Sequence, residues 1–296
     1  MLACRADPVQ AFYNRAVNAD LHCHSTVSDG TLSPEDLARR AQANGVELWA
    51  LTDHDEIDGV ERAAAAAAEV GLPFLAGAEL SVSWGGHTLH IVGLGMDPAC
   101  PDLIEGLRWV RSGRERRARA MADDLARVGV RGAYEGALRY VGNPDLISRT
   151  HFARFMVETG VCGETGEVFR RFLTPGKPGF VEHQWASLAE AIGWIRAAGG
   201  VAVLAHPGRY PLGPQQEWAM IDEFKALGGQ AIEVITGSHT PAEYGHYAQM
   251  ALDCGLAASC GSDFHAPGES RCDLGSLPPL PSHLTPVWEL VQGRIR

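Results

Sequence analysis

Two histidines stand one residue apart in Asp20-Leu21-His22-Cys23-His24, directly after the apolar stretch Ala16-Val17-Asn18-Ala19. Side chains alternate along a strand, so residues two apart face the same way. Paired imidazoles at a strand end, followed by Asp29 in Ser28-Asp29-Gly30, have the pattern of a first set of metal ligands. Imidazole is the commonest metal ligand, and a carboxylate adds the hard oxygen that Mn²⁺, Fe²⁺ or Zn²⁺ accepts. A solvated His-rich turn is the lesser alternative for this one segment.

The pattern repeats along the chain. Trp49-Ala50-Leu51-Thr52 runs into Asp53-His54-Asp55, and Pro73-Phe74-Leu75-Ala76-Gly77-Ala78 runs into Glu79. His90 lies within Thr88-Leu89-His90-Ile91-Val92. Val201-Ala202-Val203-Leu204-Ala205 ends in His206-Pro207, and Ala257-Ala258-Ser259-Cys260-Gly261-Ser262 ends in Asp263-Phe264-His265. Buried charge is tolerated mainly when it is paired or bound to metal. Six apolar segments that converge with such residues imply a polynuclear metal centre. Asp53 and Asp55 flank His54 and are expected to support the centre from behind. Cys23 alternates with His22 and His24, so it should face the core. His87, His183, His239, His246 and His283 lack ligand-like surroundings and are expected in surface or capping roles.

These residues need a scaffold that brings strand ends together. Apolar strand-like runs alternate with helical patterns at about 34–44, 56–70, 188–198, 215–227 and 241–254. Seven strands in repeated β-then-α order predict an α/β fold with a parallel sheet closed as a (βα) barrel, its site on the C-terminal face. The stretch 100–180 breaks the alternation with Arg-rich helical patterns and closes at Thr174-Pro175-Gly176-Lys177-Pro178-Gly179. The expected organisation is an N-terminal extension at 1–15, a first barrel part at 16–99, a helical insert capping the site at 100–180, and a second barrel part at 181–296.

Composition narrows the class. The 296 residues are 46% hydrophobic and 21% charged, as in an ordinary globular protein. No run approaches the roughly 20 apolar residues of a membrane span, and the N-terminus lacks a signal-peptide pattern. Seven scattered cysteines without a CxxC pair suit free thiols in a reducing cytoplasm. The net charge of −11 is uneven: residues 100–180 carry 14 Lys and Arg against 10 Asp and Glu, while the remainder carries 11 against 26. The basic stretch suits an anionic substrate, or a solvated helix face.

Together, Asp20-Leu21-His22-Cys23-His24, Thr52-Asp53-His54-Asp55, Glu79, His90, Ala205-His206-Pro207 and Ser262-Asp263-Phe264-His265 resemble the motifs of the PHP (polymerase and histidinol phosphatase) family. The resemblance implies a distorted seven-stranded TIM-like barrel, two or three divalent ions and phosphoester hydrolysis. It assigns His22, His24, Asp29, His54, Glu79, His90, His206, Asp263 and His265 as ligands, with His206, Asp263 and His265 also catalytic. Glu79 and Asp263 would be the central carboxylates. Bound ions lower the pKa of water enough to supply a bridging hydroxide, and Mn²⁺ is the expected ion, with Fe²⁺ or Zn²⁺ as alternatives. The insert segment Ile147-Ser148-Arg149-Thr150-His151-Phe152-Ala153-Arg154 resembles the branch that removes the 3′-phosphate of 3′,5′-bisphosphonucleosides such as adenosine 3′,5′-bisphosphate. Some members of that branch trim short RNA from the 5′ end. Ser148, Arg149, His151 and Arg209 are the expected substrate contacts. A histidinol-phosphate-type small-molecule phosphatase is the alternative. No membrane or obligate protein partner is implied.

Overall fold

The computed structural model describes residues 17–296; the expected N-terminal extension lies outside the described residues. Among the described residues there are eight strands: β1 (Ala19–Asp20), β2 (Leu48–Leu51), β3 (Phe74–Trp84), β4 (His87–Leu94), β5 (Ala186–Ser187), β6 (Val201–Leu204), β7 (Ala231–Thr236) and β8 (Ala257–Gly261). Seven form a continuous path in the order β1-β2-β3-β4-β6-β7-β8, and β5 pairs outside it with the far end of β3. The last strand returns to the first: the Leu21 amide donates to the Cys260 carbonyl at 3.0 Å, and the Asp263 amide donates to the His22 carbonyl at 2.8 Å. The result is a nearly closed, distorted TIM-like barrel.

The sheet is not wholly parallel, contrary to what the β–α alternation predicts. β4 runs antiparallel to both β3 and β6. The reason is the two-residue turn Gly85-Gly86, in which both glycines have positive φ (54° and 81°). Such a turn returns the chain beside itself, whereas a parallel connection needs a crossover of a dozen residues or more. The reversal has a functional consequence. In β4 the early residues, not the late ones, reach the end of the barrel where the other strands finish, and His90 lies there.

Helices α1 (Pro34–Ala43) and α2 (Val60–Glu69) cover β2 and β3. α1 begins at Ser33, whose side chain accepts the Asp36 amide, with Pro34 in the first turn. α2 starts four residues later than its alanine-rich pattern suggests. The Glu56 carboxylate accepts the Ile57 and Asp58 amides and holds that segment as a turn. The small side chains of Ala63, Ala66 and Ala67 are buried, which lets α2 pack closely. Trp49, Leu51, Phe74 and Leu37 fill this layer; burying each such side chain contributes roughly 1.5–3 kcal/mol.

Between β4 and β5 lie α3 (Pro101–Arg111), α4 (Arg114–Arg127), α5 (Ala133–Leu138), α6 (Arg149–Glu158) and α7 (Thr165–Val168), the last continuing into a wide turn over Phe169–Leu173. Leu103 and Leu107 of α3 belong to the barrel's core. A separate apolar cluster begins at Ala118 and includes Met121, Phe152, Met156, Val168 and Leu173. The helices α8 (Leu188–Ala197), α9 (Pro214–Ala226) and α10 (Pro241–Cys254) complete the outer layer. No helix among the described residues is long and apolar enough to cross a membrane.

Candidate metal centre and the cleft above it

His22 and His24 follow β1 and are fully buried, their Nε2 atoms 3.2 Å apart. Cys23 between them faces the opposite way, where the Trp49 indole N–H donates to its Sγ at 3.2 Å. Glu79 on β3 lies at the middle of the cluster. Its Oε1 is 2.9 Å from His90 Nδ1, 2.9 Å from His206 Nε2 and 3.3 Å from His22 Nε2. Its Oε2 is 2.8 Å from His54 Nδ1 and 3.4 Å from His24 Nε2. Asp263 Oδ1 approaches His24 Nε2 at 3.2 Å, and Asp29 Oδ1 lies 3.3 Å from His265 Nε2. All nine residues expected to ligate metal thus occupy one site.

Several of these short approaches are not hydrogen bonds. His54 Nδ1, His90 Nδ1, Glu79 Oε2 and Asp29 Oδ1 are buried with no hydrogen-bond partner among the described residues. Orphaned buried polar atoms are costly, and here they crowd together without pointing at one another. Lone pairs directed into a shared space are what the ligands of a cation present. The donor atoms form four overlapping groups: His24, Asp29, His54 and His265; His22, Glu79 and His206; His22, His24 and Asp263; His54, Glu79 and His90. The sharing of Glu79, His22, His24 and His54 suits adjacent ions. All donors are nitrogen or oxygen, a set that holds divalent first-row metals.

The carboxylates of the cluster are held ionised, and its imidazoles divide into two sets. Burial would raise the Glu79 carboxyl, but His90, His54 and His22 around it hold it well below the usual range. Asp29 and Asp263 are likewise held low against burial by their histidine neighbours, Asp263 also by Arg209. Burial, with His265 and His54 nearby, lowers His24 to about 3, and burial lowers His90 to about 4. The carboxylates act the other way on three others: Glu233 and Glu79 raise His22, Glu79 and Asp29 raise His54, and Asp29 and Asp263 bring His265 to about 9, each against burial. Ionised carboxylates thus face imidazoles of which some hold protons, and a bound metal ion would displace those protons.

The supporting residues sit where the spacing puts them. Asp53 accepts the Ser25 amide and hydroxyl and the Ser28 hydroxyl, at 2.6–2.7 Å, and so fixes the turn carrying Asp29. Asp55 accepts the Ser81 amide at 2.7 Å and pairs with Arg114. Among the described residues, three that are not glycine take positive φ: Asp55 (51°), His206 (29°) and Asp263 (55°), each at a strand end in this cluster. Strained backbone of this kind persists where surrounding contacts over-determine it.

Above the cluster is a cleft of about 610 Å³, including its open mouth, that exposes Asp29, His54, His90 and His265 at its base. Ser148, Arg149 and Arg209 line it, as expected. The Ser148 hydroxyl donates to Asp29 Oδ2 at 3.0 Å, and Arg209 donates to Asp263 Oδ2 at 2.8 Å. His151 does not line it. It is fully buried, and its Nδ1 accepts the Ser148 amide at 3.0 Å as part of the cap that starts α6. A direct phosphate contact from His151 does not fit this placement; its role is to position Ser148.

Four further contributors lie outside the expected site residues. Arg114 and Arg117 project from α4 into the cleft, both stacked on Trp185, with Arg guanidinium-to-ring distances of 4.8 and 5.3 Å. Among the described residues neither Arg117 nor Arg149 has a carboxylate within ion-pair distance. Arg117 donates to the Val181 carbonyl and Arg149 to that of Leu173. Burial, with Arg149 and Arg114 nearby, lowers Arg117 to about 9, and burial, with Arg209 and Arg114 nearby, lowers Arg149 to about 10. Tyr210 joins β4 to β6: its hydroxyl accepts the His90 amide at 2.8 Å and donates to the Ala205 carbonyl at 2.9 Å. Glu233 on β7 lies behind His22.

Known proteins share this arrangement of chain. The PHP domain model matches residues 20–134. A 3′,5′-nucleoside bisphosphate phosphatase from Chromobacterium violaceum is 53% identical across 94% of this chain and 98% of its own. A 5′-3′ exoribonuclease from Haemophilus influenzae is 41% identical across 91% of this chain and 97% of its own. Among solved structures, an amidohydrolase from Chromobacterium violaceum with bound sulfate and no metal superposes with a TM-score of 0.92, at 52% identity, over 95% of this chain and 98% of that one. Similarity that spans both chains almost end to end, joined to the domain match over the first strands, makes this protein a member of the PHP family.

Proposed function

We propose that the protein is a metal-dependent phosphoric monoester hydrolase that removes the 3′-phosphate of 3′,5′-bisphosphonucleosides, such as adenosine 3′,5′-bisphosphate, and leaves the 5′-mononucleotide. The observation that carries this reading is the pair of guanidiniums without carboxylate partners, Arg117 and Arg149, in the same cleft as a cluster of nine metal-type ligands. Two uncompensated cations, Arg117 buried and Arg149 half-buried, call for an anion, and the cluster beside them suits a phosphoryl group. A ligand with two phosphates satisfies both. The relatives named as a bisphosphate phosphatase and an exoribonuclease support the same substrate class.

His22, His24, Asp29, His54, Glu79, His90, His206, Asp263 and His265 would hold two or three ions, for which Mn²⁺ is proposed and Fe²⁺ or Zn²⁺ are compatible. Such ions polarise phosphoryl oxygens and make water nucleophilic near neutral pH. The chain's own residues do the rest. Arg149 and Arg117 bind the phosphate that is not cleaved, by charge-assisted hydrogen bonds. Ser148, next to Arg149 at the start of α6, adds a hydroxyl beside an N-terminus that attracts anions. Phe169, half-buried beside Arg149, offers an aromatic ring to the base. Asp263 and His265, paired at the mouth with Arg209 and Asp29 respectively, and His206 against Glu79, border the reacting group. Residues 100–180 are proposed as the roof that limits access to short, flexible ends, with α3 serving the barrel and the later helices the cleft. Trimming of short single-stranded RNA from its 5′ end is a second activity that the exoribonuclease relative favours. The six described cysteines are free thiols, which suits the cytoplasm proposed as its location.

The test is phosphorus NMR of the products from adenosine 3′,5′-bisphosphate with added Mn²⁺. Inorganic phosphate and 5′-AMP are expected. Release of the 5′-phosphate, or faster turnover of histidinol phosphate than of the bisphosphate, would contradict the proposal.

A further inference from the structure

Glu233 is a buried carboxylate, 1% exposed, and the one charged residue of the buried strand Ala231–Thr236. The register of β7 against β8 shifts between Glu233 and Ile235, a bulge that re-aims the strand's side chains. Both of its oxygens are used. Oε1 is 2.7 Å from His22 Nδ1, and Oε2 accepts the backbone amide of His206 at 2.6 Å. That amide belongs to the residue with φ of 29°. The turn after it is held from the other side, where the Gly208 amide donates to His239 Nε2 at 3.0 Å.

A carboxylate accepts hydrogen bonds and does not donate them. With Oε2 taken by a backbone N–H, Oε1 requires the proton of His22 to sit on Nδ1. That leaves the lone pair on Nε2, the atom 3.3 Å from Glu79 Oε1 and 3.6 Å from Asp263 Oδ1. We infer that Glu233 is a positioning residue that fixes the tautomer of His22 and the turn of His206 together, and so governs one part of the metal centre. It reaches the two groups that contain His22. It does not touch the group formed by His24, Asp29, His54 and His265. The inference rests on the metal-centre reading and adds an asymmetry to it.

Glu233→Gln separates this role from simple packing. The amide has the same shape but one accepting and one donating arm. If its oxygen takes the His206 amide, its NH₂ faces His22 Nδ1 and drives the proton to Nε2, the ligating atom. If it flips, two donors oppose each other at His206. Co²⁺ added without substrate supplies the readout, through stoichiometry, affinity by chelator competition and the d–d absorption of each bound ion. The wild type is expected to take up two or three ions. In Glu233→Gln one of them should bind about 10–100-fold more weakly, the usual cost of losing such an outer carboxylate. The remainder should stay within about threefold. A full complement at unchanged affinity, or equal loss of every ion, would overturn the inference. If the Gln variant does not fold, Glu233→Asp decides: its shorter arm cannot reach both partners, and the same selective weakening is expected. Unchanged affinity there would overturn it too. A wild-type protein that takes up no Co²⁺ would instead refute the metal-centre reading itself.

Discussion

The floor of the cleft is made by strand ends and its roof by helix faces, and the two regions handle charge differently. On the floor, Glu79, Asp29 and Asp263 are each surrounded by imidazoles, and every charge has a neighbour of the opposite tendency. In the roof, Arg117 and Arg149 face one cleft with carbonyl oxygens as their hydrogen-bond acceptors. The floor is complete once cations are bound, whereas the roof is complete only with an anion. Under the proposed function, a phosphate ester between them would meet both needs and separate reaction from recognition in one small volume.

The sharpest way to break this division is at its centre. Glu79→Gln removes a charge that five histidines approach. Metal content by elemental analysis should fall, and hydrolysis of every ester should drop by about 10³-fold or more, since several kcal/mol of charge stabilisation is lost. Full metal content with full activity would remove Glu79 from the centre. A smaller effect is expected where roof and floor are joined. Arg154 of α6 forks onto Glu269 and donates to the Asp29 carbonyl at 2.7 Å. Arg154→Ala should cost about 1.5–3 kcal/mol in stability, the range for hydrogen bonds to charged groups, read as a shift in urea midpoint. It should also raise KM for bisphosphonucleosides more than for aryl phosphates.

How much of this is legible in the sequence depends on which residue types are out of place. His22, His24, His54, His206 and His265 stand out because imidazoles are rare at the ends of apolar strands. The antiparallel β4 is hidden when strands are read only as β–α repeats, although the two-residue glycine loop Gly85-Gly86 is itself a hairpin signal. Arg114 and Arg117 are hidden among eight arginines between 108 and 131. Their signal is positional: they share the buried face of α4 with Ala118, Met121 and Leu125, where arginine does not belong without a purpose. Glu233 carries the same kind of sign as the one charge in Ala-Ile-Glu-Val-Ile-Thr. His151 misleads because a capping histidine and a phosphate-binding one look alike until the cap is seen.

The smallest effects should come from groups that carry no charge or lie outside the cleft. Phe169→Ala should weaken binding of nucleotide substrates by about 1–3 kcal/mol, the cost of one lost base stack, and leave aryl phosphates unaffected. Further out, the Arg62 guanidinium beside Glu35 holds that carboxyl down at about 2 and ties α1 to α2. The folded-state pKa is depressed, so this contribution is present above pH about 4.5 and fades as the pH falls toward 2. Both groups reach solvent, so Glu35→Gln should cost well under about 1 kcal/mol at pH 7, with no effect on metal content.

The division between floor and roof is tested most directly by one ratio: kcat/KM for adenosine 3′,5′-bisphosphate over kcat/KM for p-nitrophenyl phosphate, in the wild type and in the Arg117→Ala, Arg149→Ala double variant. Removing two charged contacts, each typically costing about 2–5 kcal/mol when truncated, should lower the ratio by at least about 100-fold. Metal content and aryl phosphate turnover should stay within a few-fold of the wild type. A parallel fall on both substrates, with the ratio unchanged, would show that the arginines serve the reaction itself and contradict the separation of roles.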